Sequence, residues 1–556
     1  MKRTPYYIFF LLLCCLPICL FAQQQVPKHE MRAVWLTTLN GLDWPHTKAT
    51  SAATRQKQQR ELCQILDRLK AININTVLFQ TRIRGSVIYK SAIEPWDIAL
   101  TGEFDEAPGY DPLAFAITEA HRRGMELHSW VVAIPCFKIA VAKQMGKKSV
   151  LKTHPELCVK HNDMYYLDPG QPGTADYLVK ICHEIVSRYD VDGLHFDYIR
   201  YPENAASFND ASSFKRYGAG KNKAAWRRDN MNHIVRRIYA DTKALKPWVR
   251  ISSSPVGKYA DLSRYSSHGW NARDAVHQDA EGWLRSDIHD LLFPMLYFDG
   301  DNFYPFAADW QEQKAGRQVA AGLGIYFLHP QEKNWSLDII RRQLSYLRQE
   351  GLDGQAYFRS KFLTDNTKGI YDYLHDDFYA FPALTPPCTW LDDEPPLKPM
   401  EFTVNVINDQ TEELTWLPAA DNLSGGIRYN VYASREWPVD ATRAENLVAT
   451  ALYDARFRYN RFASIGYYFA VTAMDRCGNE SEAVQITNSE QQQYKQPRKL
   501  TLNAKGHVIG LINRPKFRKG LIRIEPVQTK ARTATKTTST ASNKAIDKFY
   551  RKYYNR

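Results

Sequence analysis

Asp197 ends the run Gly193-Leu194-His195-Phe196-Asp197, in which Leu194 and Phe196 share one parity and His195 and Asp197 the other. Successive side chains on a strand point to opposite faces. If the apolar pair faces a helix layer, a carboxyl and an imidazole share the opposite surface at the strand's C-terminal end. The same alternation places Trp35, Gln80, Arg82, His128, Trp130, Tyr297 and Asp299 on that surface. In the run 354–359 it assigns Ala356 and Phe358 outward, and Tyr357 and Arg359 inward. Aromatic faces suit pyranose rings, Arg and His donors suit hydroxyls or acidic groups, and carboxyls suit acid/base work. Glycosidic cleavage needs two carboxyls, one to protonate the leaving oxygen and one to act on water or on the anomeric carbon. Asp197 is the first candidate. Glu203 in the same loop, Asp279 ahead of the sixth strand and Asp299 at that strand's end compete to be the second.

The expected substrate-binding residues are Trp35, Arg82, Trp130, His195, Arg200, Tyr201, Tyr297, Asp299 and Arg359. Each has a structural alternative. A strand-end Asp can bond loop backbone or pair with an Arg, loop acids are commonly solvated or cap a helix, and Trp and Tyr residues fill cores. An Arg beside Asp197 would by itself lower the carboxyl's pKa and favour a base over a proton donor. His128 and His195 have no metal-ligand company, and the chain contains no CxxC pair or Cys/His cluster, so no metal and no organic cofactor are expected.

Positioning these residues requires a repeated strand-helix scaffold. β-rich runs at 32–38, 76–82, 126–133, 193–200, 250–256, 290–299, 319–327 and 354–359 alternate with amphipathic segments at 58–70, 112–123, 175–189, 226–244 and 337–350. Gly124 and Gly351 stand where helix C-caps would, directly before strands. Eight such units predict an α/β fold, a (β/α)8 barrel over residues 30–381, with functional side chains at the C-terminal ends of its strands. A barrel interior is normally filled by branched aliphatics, so polar and aromatic groups converging at one end call for an active-site floor.

Outside the barrel, residues 382–399 contain Pro386, Pro387, Pro395 and Pro396 and read as a linker. Beyond it, Leu414-Thr415-Trp416, Tyr429-Asn430-Val431-Tyr432 and Tyr467-Tyr468-Phe469-Ala470-Val471 alternate like half-buried strands, and Asp475-Arg476-Cys477-Gly478-Asn479 makes a turn. Residues 400–487 resemble a fibronectin type III domain, a small all-β sandwich that usually serves as spacer or docking surface. Lys2 and Arg3, the apolar run 8–21 and Ala22 have the build of a secretory signal peptide over 1–22, and no later stretch is long and uncharged enough to span a bilayer. Export to the periplasm or cell envelope is therefore expected. The net charge of +13 does not point to nucleic acid: residues 488–556 hold seventeen Lys and Arg against three acids, so that extension carries +14 and the rest about −1. The extension is expected to be partly disordered.

Several blocks carry a family resemblance. They are Met31-Arg32-Ala33-Val34-Trp35, Trp96 through Thr101-Gly102, Pro108-Gly109-Tyr110-Asp111-Pro112-Leu113, Leu167-Asp168-Pro169-Gly170, and Val191-Asp192-Gly193-Leu194-His195-Phe196-Asp197-Tyr198-Ile199-Arg200-Tyr201-Pro202. In this order they make residues 30–375 similar to the glycosyl-hydrolase-like family 10 barrels. The resemblance implies hydrolysis of peptidoglycan glycan strands, with Asp197 matching the family's strand-end acid, Glu203 a loop acid of some members, Asp279 an acid before the sixth strand and Arg359 an Arg after the eighth. The chain departs where many members carry a second Asp after the first, since Tyr198 stands there, and Asp299 falls where an aromatic is common. The Asp-x-Asp-x-Glu ending of chitinase-like barrels is missing, so substrate-assisted cleavage of that type is not expected. The expected partner is a polysaccharide, with envelope association through the C-terminal regions. The competing readings are a glycan-binding barrel without catalysis, separable by whether a second carboxyl lines the cleft, and a hydrolase of host or dietary glycans.

Overall fold

A computed structural model describes residues 26–265, 269–423, 425–464 and 466–485, so the leader-like segment 1–22 and the extension 488–556 lie outside the described residues. Eight parallel strands form a closed barrel: β1 (Met31–Leu36), β2 (Thr76–Arg82), β3 (Glu126–Val132), β4 (Gly193–Asp197), β5 (Arg250–Ser253), β6 (Leu291–Leu292), β7 (Gln318–Leu323) and β8 (Gly354–Tyr357). Around the ring they run β1-β8-β7-β6-β5-β4-β3-β2. All eight anticipated strands are present. The sixth is far shorter than 290–299 because Pro294 has no N–H for the ladder, and past it only Met295 keeps bridges, to Val256 and Gly322.

The surrounding helices include α1 (Ala52–Ala71), α2 (Pro112–Arg122), α3 (Pro172–Arg188), α4 (Lys223–Leu245), α5 (Ala280–Arg285) and α6 (Leu337–Gln349). Their ends are set locally. Ser51 and Thr54 form a reciprocal capping box at the start of α1, which buries Gln58, Leu62, Leu66 and Leu69 along one stripe. Asp111 caps α2 ahead of Pro112, and Gly124 stops that helix at φ +65°, a conformation that costs a side-chain-bearing residue. Between β3 and β4 the chain inserts a small sheet of Pro135–Lys138, Cys158–His161 and Met164–Leu167.

Strand alternation divides the apolar side chains into two cores. Leu194, Phe196 and Val34 join the layer between strands and helices, whereas Trp35, Leu78, Trp130, Leu291, Phe293, Ala356 and Phe358 fill the lumen. The expected parity holds for β4 and is reversed for β8. Ala33 and Ala356 are register partners, as are Val34 and Tyr357, so Tyr357 faces out with Val34 while Ala356 and Phe358 face in. The rule that sent apolar residues outward fails here because the lumen itself is apolar in this sector, with Phe358 edge-on to Trp35 at 6.0 Å. Tyr357 is accommodated outside by the Tyr379 hydroxyl at 2.8 Å.

Below the barrel lies a buried charge cluster. Asp192, just before β4, accepts from His121 Nε2 at 2.8 Å, from Leu127 N at 2.8 Å and from Arg476 at 3.1 Å, and pairs with Arg428. Arg428 and Arg476 belong to an all-β unit of two sheets, one of Met400–Val406, Thr411–Leu417 and Arg456–Asn460, the other of Leu447–Leu452, Arg428–Ser434, Tyr468–Met474 and Val484–Gln485. The proline-rich segment is packed against the same rim: Arg250 donates to the Pro386 carbonyl at 3.2 Å, and Gln318 to those of Pro386 and Pro387 at 3.0 and 2.9 Å. Among the described residues no helix is long and apolar enough to cross a membrane.

Burial opposes ionisation of Asp192, but the Arg428, His121 and Arg476 charges outweigh it and hold its carboxyl well below the usual range. Removing one partner of a buried cluster leaves the others uncompensated, so Asp192→Ala is expected to lower unfolding stability by about 3–5 kcal/mol at neutral pH. A lowered folded-state pKa means that the ionic contribution is present above the ordinary carboxylate range and is lost as pH falls through the depressed value. Urea unfolding at neutral and acidic pH checks both the size and the sign.

Candidate active site

A cavity of about 590 Å³ opens among the loops that follow the C-terminal ends of the strands. Its aromatic lining is built around Phe358, whose ring lies 6.0 Å from Trp35, 5.6 Å from Tyr297 and 5.9 Å from Tyr326. Trp35 is held from below. Its indole N–H donates to His195 Nε2 at 3.0 Å, and His195 Nδ1 lies 3.0 Å from Ser252 Oγ. Because indole nitrogen only donates, His195 Nε2 must accept, which leaves the proton on Nδ1 facing Ser252. Burial, with the nearby His128 and His289, pushes the His195 pKa well below its usual value, in keeping with a neutral ring.

Asp197 ends β4 with 6% of its surface exposed. Its Oδ1 accepts from Tyr198 N at 2.8 Å and from Ser254 Oγ at 3.1 Å. Burial raises its pKa, and this outweighs the lowering by the Arg200 charge, the Tyr198 N–H, Ser254 and Trp130. Tyr198 adopts φ +50°, a left-handed conformation that costs a bulky residue roughly 1–2 kcal/mol. That turn aims the Tyr198 N–H back at Asp197 and brings its ring to 4.6 Å from the Arg200 guanidinium, whose charge also faces Trp270 at 5.5 Å. Arg200 reaches Glu203 at 3.7 Å, and Glu203 is 46% exposed.

Asp197, Glu203, Trp35, Arg200 and Tyr297 therefore line the cavity as the sequence suggested; the other expected residues do not. Asp279 stands at the start of α5 and accepts from the Tyr259 hydroxyl. Arg82 follows a register irregularity in β2 and is buried in a two-bond pair with Glu94, at 2.8 and 2.7 Å. Trp130 and His195 lie deeper in the lumen, beneath Asp197 and Trp35. Tyr201 is fully buried, with its ring against Phe208 and His277. Asp299 caps a turn through Gly300 N at 2.8 Å. Arg359 donates to Leu42 O at 3.2 Å and pairs with Asp43 beside the strand end. For the two arginines the physical reason is shared: a buried guanidinium needs a carboxylate, and each found one within the fold.

The structure also adds residues that were not expected at the site. Trp270, Glu332 and Lys333 line the cavity from loops, and Tyr326 and Phe327, in the run expected to be the seventh strand, line it from the helical turn Ile325–Leu328. Glu332 follows β7 as Glu203 follows β4, so scanning every strand-to-helix loop for acids would have found it. Among the described residues, Asp392, Asp421 and Asp475 have metal-ligating spacing, within 4.8 Å of one another, and none lines the cavity. Replacing His195 with Phe would strand the Trp35 N–H without an acceptor, and a destabilisation of about 1–3 kcal/mol in chemical denaturation is expected.

Residues 30–327, more than half of the chain, match the family described as glycosyl hydrolase-like 10. The glycosyl hydrolase YngK of Bacillus subtilis (strain 168) is 30% identical over 486 residues, covering 82% of this chain and 93% of that protein. The glycosyl hydrolase DigH of Escherichia coli (strain K12) is 33% identical over 299 residues, covering 50% of this chain and 67% of its own. Among solved structures, the glycoside hydrolase domain of PgaB (BpsB) from Bordetella bronchiseptica is similar at 16% identity and a TM-score of 0.41, covering 62% of this chain and 98% of that one. That last likeness is too remote to bear on function. The match over seven of the eight barrel strands and the near full-length likeness to YngK settle the assignment: the chain belongs to the glycosyl hydrolase-like 10 family and is a glycoside hydrolase.

Proposed function

We propose that the enzyme cleaves O-glycosidic bonds of a bacterial envelope glycan, peptidoglycan glycan strands in particular, with Asp197 as the general acid. The observation that carries the reading is the buried state of Asp197 at the cavity floor: burial raises its pKa despite Arg200, which favours a carboxyl that keeps its proton until a leaving oxygen takes it. Glycan contact is supported by the Trp270, Tyr297 and Tyr326 rings, which keep exposed surface in the cavity against which sugar rings can stack, and by Arg200 and Lys333 as cationic groups for hydroxyls or acidic substituents. The leader-like segment 1–22 and the basic extension favour an envelope site of action. Three carboxyl-bearing residues, Asp197, Glu203 and Glu332, share the cavity, which favours hydrolysis over a binding-only barrel.

In this mechanism Asp197 donates its proton to the glycosidic oxygen as the bond to the anomeric carbon breaks, and the oxocarbenium-like carbon is captured on its other side with help from a second carboxyl. Tyr198 N–H and Ser254 Oγ fix the Asp197 carboxyl and stabilise its ionised form after transfer.

Reducing-end release from peptide-free glycan strands, intact peptidoglycan, chitin and host glycans tests the substrate. Cleavage of the peptide-free strands is expected to be fastest; activity confined to chitin or host glycans would reject the envelope reading. Asp197→Asn should lose at least about a hundredfold in turnover while keeping its melting temperature. A general acid works below its pKa, so wild-type turnover should fall as pH rises through the raised Asp197 value, and that alkaline limb should vanish in Asp197→Asn. Unchanged turnover in the variant would remove Asp197 from the mechanism.

A further inference from the structure

We infer that Glu332, rather than Glu203, is the carboxyl that acts at the anomeric carbon opposite Asp197. The inference rests on Asp197 being the general acid, and three observations carry it.

The first is position around the barrel mouth. Two carboxyls must flank one glycosidic bond. In the ring order β8-β7-β6-β5-β4, strands β5 and β6 separate β7 from β4, so the loop after β7 that bears Glu332 reaches the cavity from a different sector than Asp197. Glu203 lies six residues after Asp197 in the same loop and approaches from the same sector.

The second is the company each acid keeps. Glu203 is 46% exposed and faces Arg200 at 3.7 Å, the same guanidinium whose charge acts on Asp197. Its carboxylate thus lies toward solvent, above a buried guanidinium. Glu332 is half-buried and lines the cavity beside Tyr326, whose phenol feels its charge.

The third is rigidity. A catalytic group must be held in place by its surroundings. The turn carrying Glu332 is fixed on both sides: Glu332 N donates to His329 O at 2.9 Å, and Trp335 N donates to Phe327 O at 2.8 Å. Lys333 sits over the Phe327 ring at 3.9 Å, and Lys368 donates to the Asn334 and Trp335 carbonyls at 3.0 and 2.7 Å. The short helical turn Ile325–Leu328 connects this loop directly to β7.

The chemistry balances as addition of water. The bond from the anomeric carbon to the leaving oxygen breaks and that oxygen takes the Asp197 proton. The Glu332 carboxylate supports capture of the carbon, the oxygen of water ends on it, and the proton released by that water restores the carboxyl pair.

The test uses the full chain and a glycan that the wild type cleaves. Glu332→Gln is expected to lose at least about a hundredfold in kcat with KM changed less than about threefold, and Glu203→Gln less than about tenfold. Azide should raise the turnover of Glu332→Ala at least about tenfold, with a glycosyl azide as product, and leave Glu203→Ala unchanged. Glu332→Gln retaining turnover within about tenfold of wild type, or azide rescuing Glu203→Ala instead of Glu332→Ala, overturns the inference. Asp197→Asn separates the two levels: its full activity would sink the general-acid reading, whereas its inactivity beside an active Glu332→Gln would sink only the role of Glu332.

Discussion

Closing eight parallel strands into a barrel forces every second side chain into a lumen with little room, and that constraint governs the rest of this molecule. Leu291, Phe293, Leu78, Ala356 and Trp130 fill the lumen, and Trp35 and Phe358 form its upper layer, where packing gives way to a cavity. Asp197 sits at that boundary. It is deep enough for burial to raise its pKa, yet high enough on β4 to line the cavity. The same lumen excludes water from His195, whose neutral ring holds the Trp35 indole; the aromatic floor and the acid are thus supported by one layer.

The two ends of the barrel handle charge differently. At the N-terminal end, Asp192 and Glu126 pair with Arg250, Arg428 and Arg476 among the barrel strands, the proline-rich segment and the all-β unit. That arrangement ties the β unit to the barrel floor and keeps those acids ionised. At the C-terminal end, Arg200 contacts Tyr198, Trp270 and Glu203, and its charge lowers the Asp197 pKa by less than burial raises it. Acids of one type thus have their pKa lowered below and raised above, according to how completely a cation compensates their burial.

Much of the fold was legible because periodicity reports burial directly. The eight strands, the long helices and the helix stops at Gly124 and Gly351 all follow from local patterns, since capping and alternation act over a few residues. β8 shows the limit of that logic. Its apolar residues were assigned outward, but register with β1 turns Ala356 and Phe358 inward, because the lumen is apolar in this sector while the outward Gln355 and Tyr357 find polar partners in Glu30 and Tyr379, which alternation alone cannot reveal. Arg82 and Arg359 show a second limit: strand position brought them near the mouth, and Glu94, in the segment after β2, and Asp43, at the far end of the barrel sequence, took them out of it.

The sequence alone determined which strand carries the acid, which face of β4 it occupies and that aromatic side chains accompany it, because those properties depend on neighbours a few positions away. Only the tertiary structure decided which loops meet above the strands. Glu332, Lys333 and Trp270 are separated from Asp197 by long stretches of chain, and no local pattern reports a loop's approach to a distant strand end. The cavity is made by closure of the ring, and closure is a property of all eight strands together.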